Sequence, residues 1–271
     1  MRDGFVKVAV GTPRVRVADC VYNADQTIAM VKEAAEQGVK LLVLPELGLT
    51  GYTCGDLFFQ KTLIDGAEEA LGRVLEATRD LETVFLAGLP VRQDGKLYNC
   101  VAVCQGGEVL GLLPKLHNIN PEQRYFSTPA AELGYAMVCG REVLVSPNLL
   151  FRCVELPEFV VGVEICRGLW IAEPQSGGLA SAGATVICNP AASSEAVGKA
   201  AFRRQLVTNQ SIRINAAYLY ADAGDGESTS DVVYAGHDLI AENGELLAEQ
   251  HFRTGLLVTE IDVHQIGRAH V

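Results

Sequence analysis

Positive charge is scarce in this chain: 22 lysines and arginines stand against 33 aspartates and glutamates, a formal net charge of -11 over 271 residues. Nucleic acids and anionic membrane surfaces recruit proteins through a positive field, so neither is an expected partner. Long apolar runs are missing as well. The most hydrophobic stretches, Lys40 to Leu44 and Phe159 to Val163, have the length of a strand and fall far short of a membrane span. Nor does the sequence open on the apolar stretch of a secretory leader, since Met1-Arg2-Asp3-Gly4 runs straight into a strand pattern; a soluble, cytoplasmic protein is expected. Eight cysteines occur, but no two form a C-x-x-C pair, and none of the five histidines accompanies a cysteine pair at zinc-site spacing. Most of the cysteines therefore read as reduced core residues, and no metal site is expected. Aromatic residues make up 7% and apolar residues 49%, and no segment rich in Pro, Gly or Ser divides the chain. Disordered, collagen-like and coiled-coil chains are excluded by that composition, and one domain is the reading.

What is present is an alternation of β-rich runs and amphipathic stretches. Phe5 to Val10 reads as a strand, followed by a helix capped at Asn23 or Asp25, with Ile28, Val31 and Ala35 on one face and a stop at Gly38. Val39 to Leu44 and Thr83 to Ala87 read as buried strands on either side of a helix over 66–81. Tyr98 to Cys104 and Glu108 to Leu113 flank Gln105-Gly-Gly107 as a hairpin, and after an irregular stretch come strands over 149–156 and 159–165. A helix near 174–183, a strand over 184–188, a long helix over 199–215 and a strand over 218–221 follow. The chain then closes with a hairpin turning at Asn243-Gly244 and a last strand over 256–261. Crossovers mixed with hairpins point to an α/β fold with two mixed sheets flanked by helices rather than a purely parallel sheet.

Three of these strands end on a reactive group. Leu41-Leu-Val-Leu-Pro-Glu46 ends on a carboxylate, Val109-Leu-Gly-Leu-Leu-Pro-Lys115 on an ammonium, and Val160-Val-Gly-Val-Glu-Ile-Cys166 on a thiol. The ends of strands in α/β sheets are where ligand sites form. A carboxylate, an ammonium and a thiol together supply base, oxyanion stabiliser and nucleophile for amide hydrolysis, a reaction that needs no metal. Asp225, Glu227 and Asp231 also cluster and read as a solvated loop, and Ser176-Gly-Gly-Leu179 reads as the start of a helix.

These blocks resemble the Glu-Lys-Cys triad of the nitrilase superfamily, whose fold is a single-domain αββα sandwich. Over residues 5 to 265 the chain is similar to the glutaminase domain of glutamine-dependent NAD synthetases. That likeness rests on Asn189-Pro-Ala-Ala-Ser193 leading to Gly198-Lys199, on Arg203-Arg-Gln-Leu, on Ala216 to Tyr220, and on Gly226 to Asp231 and Gly236 to Gly244. The resemblance implies Glu46, Lys115 and Cys166 as catalytic residues and Glu122 as a second glutamate orienting the lysine; a solvated loop charge is the competing reading of Glu122. It implies Tyr52, Ser193 and Lys199 as substrate-binding residues; a helix N-cap is the competing reading of Ser193. L-glutamine would be the substrate, and the glutaminase step would use no cofactor. ATP and Mg would be needed only in a C-terminal synthetase domain that is missing here, and a homo-oligomer is expected. The family follows its cysteine with acidic residues, where this chain has Arg167 and Gly168, and its 115–126 stretch is shorter than the family pattern. A free-standing amidase acting on another small amide, or an inactive scaffold domain, therefore remains open beside the glutaminase reading. The final residues, Ile266 to Val271, match a reading frame of a common sequencing-library adapter and are expected to be non-native.

Overall fold

The computed structural model describes residues 3–130 and 134–266. In chain order its first elements are strand β1 (Phe5–Thr12), helix α1 (Cys20–Glu36), β2 (Leu41–Val43), α2 (Lys61–Ala77), β3 (Val84–Gln93), β4 (Lys96–Gln105) and β5 (Glu108–Pro114). The middle holds β6 (Gly134–Val138), β7 (Arg141–Val145), β8 (Phe151–Arg152), β9 (Val160–Val163), α3 (Gln175–Ser181), β10 (Val186–Ala191) and β11 (Ser194–Glu195). The remainder comprises α4 (Lys199–Ile214), β12 (Ala217–Asp222), β13 (Val233–Tyr234), β14 (Asp238–Glu242), β15 (Glu245–Gln250) and β16 (Gly255–Asp262).

One sheet has the order β16-β1-β2-β3-β4-β5-β7-β6, the second β15-β14-β12-β10-β9-β8, and β11 pairs β13 in a small third sheet. Both large sheets mix parallel and antiparallel pairs: β1, β2 and β3 run parallel, while β3, β4 and β5 form antiparallel neighbours. Alternation along the strands sorts their residues to two faces. Val6, Val8, Val10, Leu41, Val43, Val101 and Val103 pack between the sheets against Val161, Val163, Val186, Leu219 and Ile240. The opposite face of the first sheet is covered by α1 and α2, through Ala24, Val31, Leu63, Leu71 and Val74. The second sheet is covered by α3 and α4, through Leu179 and Val207 against Ile187, Tyr218 and Leu239. Four layers result, α on β on β on α, as the resemblance implied.

Several boundaries differ from the sequence reading. Helix α1 starts three residues before Asn23, because Asp19 caps it by accepting the Tyr22 N–H; Asn23 is buried inside the helix and instead bonds Arg16 and Leu49. Helix α2 lies earlier than 66–81, and β3 runs on past Ala87 to Gln93 because β4 continues to pair with it as far as Lys96. The stretch read as irregular contains the β6–β7 hairpin. Strand β10 extends through Pro190, which is tolerated because β9 pairs only as far as Cys188 on that side. Ile266, counted with the non-native tail, packs into the core between the sheets; residues 267–271 lie outside the described residues. Among the described residues no helix is long and apolar enough to cross a membrane.

Candidate active site

The three reactive residues occupy strand ends that the two facing sheets bring together. Glu46 follows β2 beyond Pro45, and its N–H donates to the Ala191 carbonyl at the end of β10, 3.3 Å away on the opposing sheet. Lys115 follows β5, its N–H donating to Asn99 O of β4 at 2.8 Å. Cys166 begins a 3-10 turn over Cys166–Trp170 just after β9. Leu47, next to Glu46, and Cys166 itself adopt positive φ, 53° and 44°, a conformation that costs non-glycine residues energy and clusters at functional sites.

Lys115 is the hub. Its Nζ donates to Glu46 Oε1 at 2.5 Å and Glu122 Oε1 at 2.6 Å, and all three side chains are buried. Glu122 is held in turn by the Ile119 N–H at 2.8 Å, so the loop after β5 folds back to supply the second carboxylate. Glu46 Oε1 also accepts from Asn99 Nδ2 at 2.6 Å, whereas Oε2 has no hydrogen-bond partner among the described residues. An ammonium has three protons, and two are committed here, which leaves one for a ligand.

Electrostatics follow from burial. Loss of water pushes the Glu46 carboxyl up to about 7, with the Lys115 charge pulling against it and Glu122 adding to the rise. Burial alone would lower Lys115, but the nearby carboxylates and thiol outweigh it and hold the amine charged. The Cys166 thiol is pushed well up, first by burial and then by the Glu46 charge; Lys115 opposes the rise. The resting group is therefore a neutral thiol that needs a base beside it.

A cavity of about 570 Å³ opens onto this wall, and Lys115, Glu122, Cys166, Tyr52, Ser193 and Lys199 all line it. Glu46 stands behind them, fully buried. Tyr52 stacks edge-on against Tyr234 with ring centroids 5.8 Å apart, and its phenol is raised by burial first and then by Glu46 and Glu122. Ser193 is no helix cap: α4 starts after Gly198, and the Ser193 Oγ accepts from Arg203 Nη2 at 3.1 Å. Lys199, the first residue of α4, donates to Ser194 Oγ at 2.9 Å and lies 5.4 Å from the Trp170 ring centroid.

Several residues that shape the site were not singled out individually as site residues in the sequence, although they lie inside the blocks quoted above. The Cys166 N–H donates to Asn189 Oδ1 at 2.8 Å; Asn189 Nδ2 donates to the Tyr218 hydroxyl at 2.8 Å, and that hydroxyl donates to Glu164. Ser176 closes the chain, giving its N–H and Oγ–H to the Glu164 carboxylate at 2.9 and 2.8 Å. Glu227, read as a solvated loop residue, is buried. It accepts the N–H groups of Tyr52 and Thr53 at 2.7 and 2.9 Å and so fixes the cavity wall. Its neighbours part from it, Asp225 pairing with Arg14 at 3.2 Å and Asp231 lining the cavity. A polar residue inside an apolar strand, as with Asn99, Asn189 and Tyr218, is the one signal that could have found them.

Glu195, His237 and His251 bring ligand-type atoms within 4.8 Å of one another. The Arg203 guanidinium already sits there, donating to Glu195 Oε2 at 3.1 Å and to His237 Nδ1 at 2.7 Å, so a cation of the protein's own fills the position.

Fold and site together define a class. A carbon-nitrogen hydrolase profile matches residues 7–271, and the chain belongs to that family. Within it, the chain is 38% identical over 265 residues to the glutamine-dependent NAD(+) synthetase of Mycobacterium bovis, a match spanning 96% of this chain and 39% of that protein. The synthetase of Thermotoga maritima is 26% identical over 267 residues, 42% of its length. The chain thus spans about two fifths of these relatives. Among solved structures, a glutamine-dependent NAD(+) synthetase from Cytophaga hutchinsonii superposes with a TM-score of 0.84 at 26% identity, covering 97% of this chain and 43% of that one. A Nesterenkonia amidase from the nitrilase superfamily shares the fold over its whole length, with a TM-score of 0.77 at 20% identity and coverage of 100% and 97%.

Proposed function

We propose that the chain hydrolyses the side-chain carboxamide of L-glutamine and releases ammonia through a thioester on Cys166. The observation that carries this is Lys115, bridging two buried carboxylates on the wall of the cavity that Cys166 also lines. Glu46 Oε2, free of other partners, takes the thiol proton as the sulfur bonds to the amide carbon. The carbonyl oxygen becomes an oxyanion, held by the uncommitted Lys115 proton and by the Arg167 N–H; the Cys166 N–H is spent on Asn189. Glu46 returns the proton to the departing nitrogen, and ammonia leaves as the thioester forms. Glu46 then deprotonates a water whose oxygen attacks the thioester, and the carboxylic acid departs as the proton returns to sulfur.

The likeness to glutamine-dependent NAD synthetases supports a larger setting. There the ammonia would pass to a further domain, which holds ATP and Mg and amidates nicotinate adenine dinucleotide. A cytoplasmic homo-oligomer is the assembly we propose for it. The test is ammonia release from glutamine by the wild type and by Cys166→Ala. A rate that vanishes with the thiol supports the reading, and equal rates overturn it. A second reading, an amidase for another small amide, is favoured by Arg167, a cation on the cavity wall beside the nucleophile. A panel of small amides in the same assay separates the two.

A further inference from the structure

Acidic groups around the cavity are nearly all committed. Glu46 and Glu122 hold Lys115, and Glu227 is sealed by Tyr52 and Thr53. Glu195 and the buried Asp222, behind Ser193, pair with Arg203 at 3.1 and 3.8 Å, so among the described residues lining the cavity only Asp231, exposed at the rim, has no cation beside it. The cations are different. Arg167 and Lys199 both line the cavity, and among the described residues neither has a carboxylate within ion-pair distance. Lys199 rests on a hydroxyl and an aromatic face, at the first turn of the 16-residue α4, where the helix dipole also favours an anion. His117 is pushed down by burial and then by Arg167 and Lys115; Lys199 is pushed down by burial and then by Arg203, with Asp222, Cys166 and Glu195 pulling the other way.

We propose that Arg167 and Lys199 form a two-cation subsite for the carboxylate of the substrate, and that the cavity recognises no α-ammonium. Resting on the amide-hydrolase reading, this names the substrate class as ω-amides bearing a carboxylate. Glutamine is accepted through its carboxylate, while its ammonium meets the Arg167 charge, the nearby Glu195 and Asp222 being paired with Arg203. Glutaramate, which is glutamine with hydrogen in place of the α-ammonium, is then turned over at least as well as glutamine.

The experiment compares kcat/KM for glutaramate and glutamine in the wild type and in Arg167→Glu. It also measures binding of both intact amides to the Cys166→Ala protein by calorimetry, with and without Arg167→Glu. A glutaramate-to-glutamine ratio of one or more in the wild type, falling about tenfold or more in Arg167→Glu, supports the subsite. A ratio below one in the wild type, or one that the substitution leaves unmoved, overturns it. Calorimetry keeps the two proposals apart. If the Cys166→Ala protein binds glutaramate in an Arg167-dependent way but the wild type hydrolyses neither amide, the hydrolase reading fails and the subsite stands. Hydrolysis of both amides with glutamine bound more tightly sinks the subsite alone.

Discussion

At the scale of single residues, Glu46 and Lys115 carry the most consequence. In the role proposed for it, Glu46 acts as a general base only when deprotonated, and burial pushes it up to about 7 against the pull of Lys115. The kcat/KM for amide hydrolysis should therefore fall as pH drops through about 7, and Glu46→Gln should lose both that acid limb and about 100-fold or more of the rate. A pH–rate profile of the two proteins reads this directly. Lys115 neutralises two buried carboxylates, so removing its charge strands both. Lys115→Met should cost about 3–5 kcal/mol of stability at neutral pH, the usual penalty for breaking a buried pair. Urea unfolding at neutral and at acid pH checks it, because protonating the stranded carboxyls should shrink the loss.

At the scale of elements, the site depends on how closely strands approach. Gly88 in β3 lies against the turn that presents Glu46: a Cβ there would stand 2.3 Å from the Leu47 N and 2.8 Å from the Pro45 O. Real side chains do not tolerate such distances, so the turn must move. Gly88→Ala should lower kcat at least about tenfold although residue 88 touches no substrate, since a shift of an ångström in a catalytic group costs rate steeply. Single-turnover kinetics, with far-UV circular dichroism to show that the fold persists, tests it. Elements also mark where sequence reading succeeded. The short apolar runs of β1, β5 and β9 were legible because they lie largely in the core. The start of α1 and the length of β3 were not, because a cap at Asp19, four residues before Asn23, and a partner strand decided them.

At the scale of the whole molecule, a buried polar clamp ties the outer helix of the second sheet to its strands. Arg203 of α4 reaches Glu195, Ser193 and His237, and His237 passes its other ring nitrogen to Glu249 of β15 at 2.7 Å. With Nδ1 facing the guanidinium as an acceptor, the ring must be neutral, and burial pushes its pKa down to about 4 against the pull of Glu249. A histidine depressed in the folded state takes up its proton first in the unfolded chain. Its contribution, on the order of 3 kcal/mol, is therefore complete above its ordinary value and lost as pH falls from about 6.5 toward 4. Urea midpoints measured at pH 7 and pH 4.5 should separate for the wild type and lie closer together for His237→Gln.

Residue chemistry and local periodicity alone settled that the protein is an α/β chain with a carboxylate, an ammonium and a thiol at three strand ends. Those properties are written in neighbouring residues and need no partner to express themselves. Tertiary structure alone decided that Ser193 faces Arg203 rather than capping α4, and that Glu227 is a buried latch rather than a solvated loop charge. The first is a contact across ten positions and the second across 175, and both are set by how the strands and helices pack. No pattern within a few residues of Glu227 can encode where its distant partners, Tyr52 and Thr53, will lie.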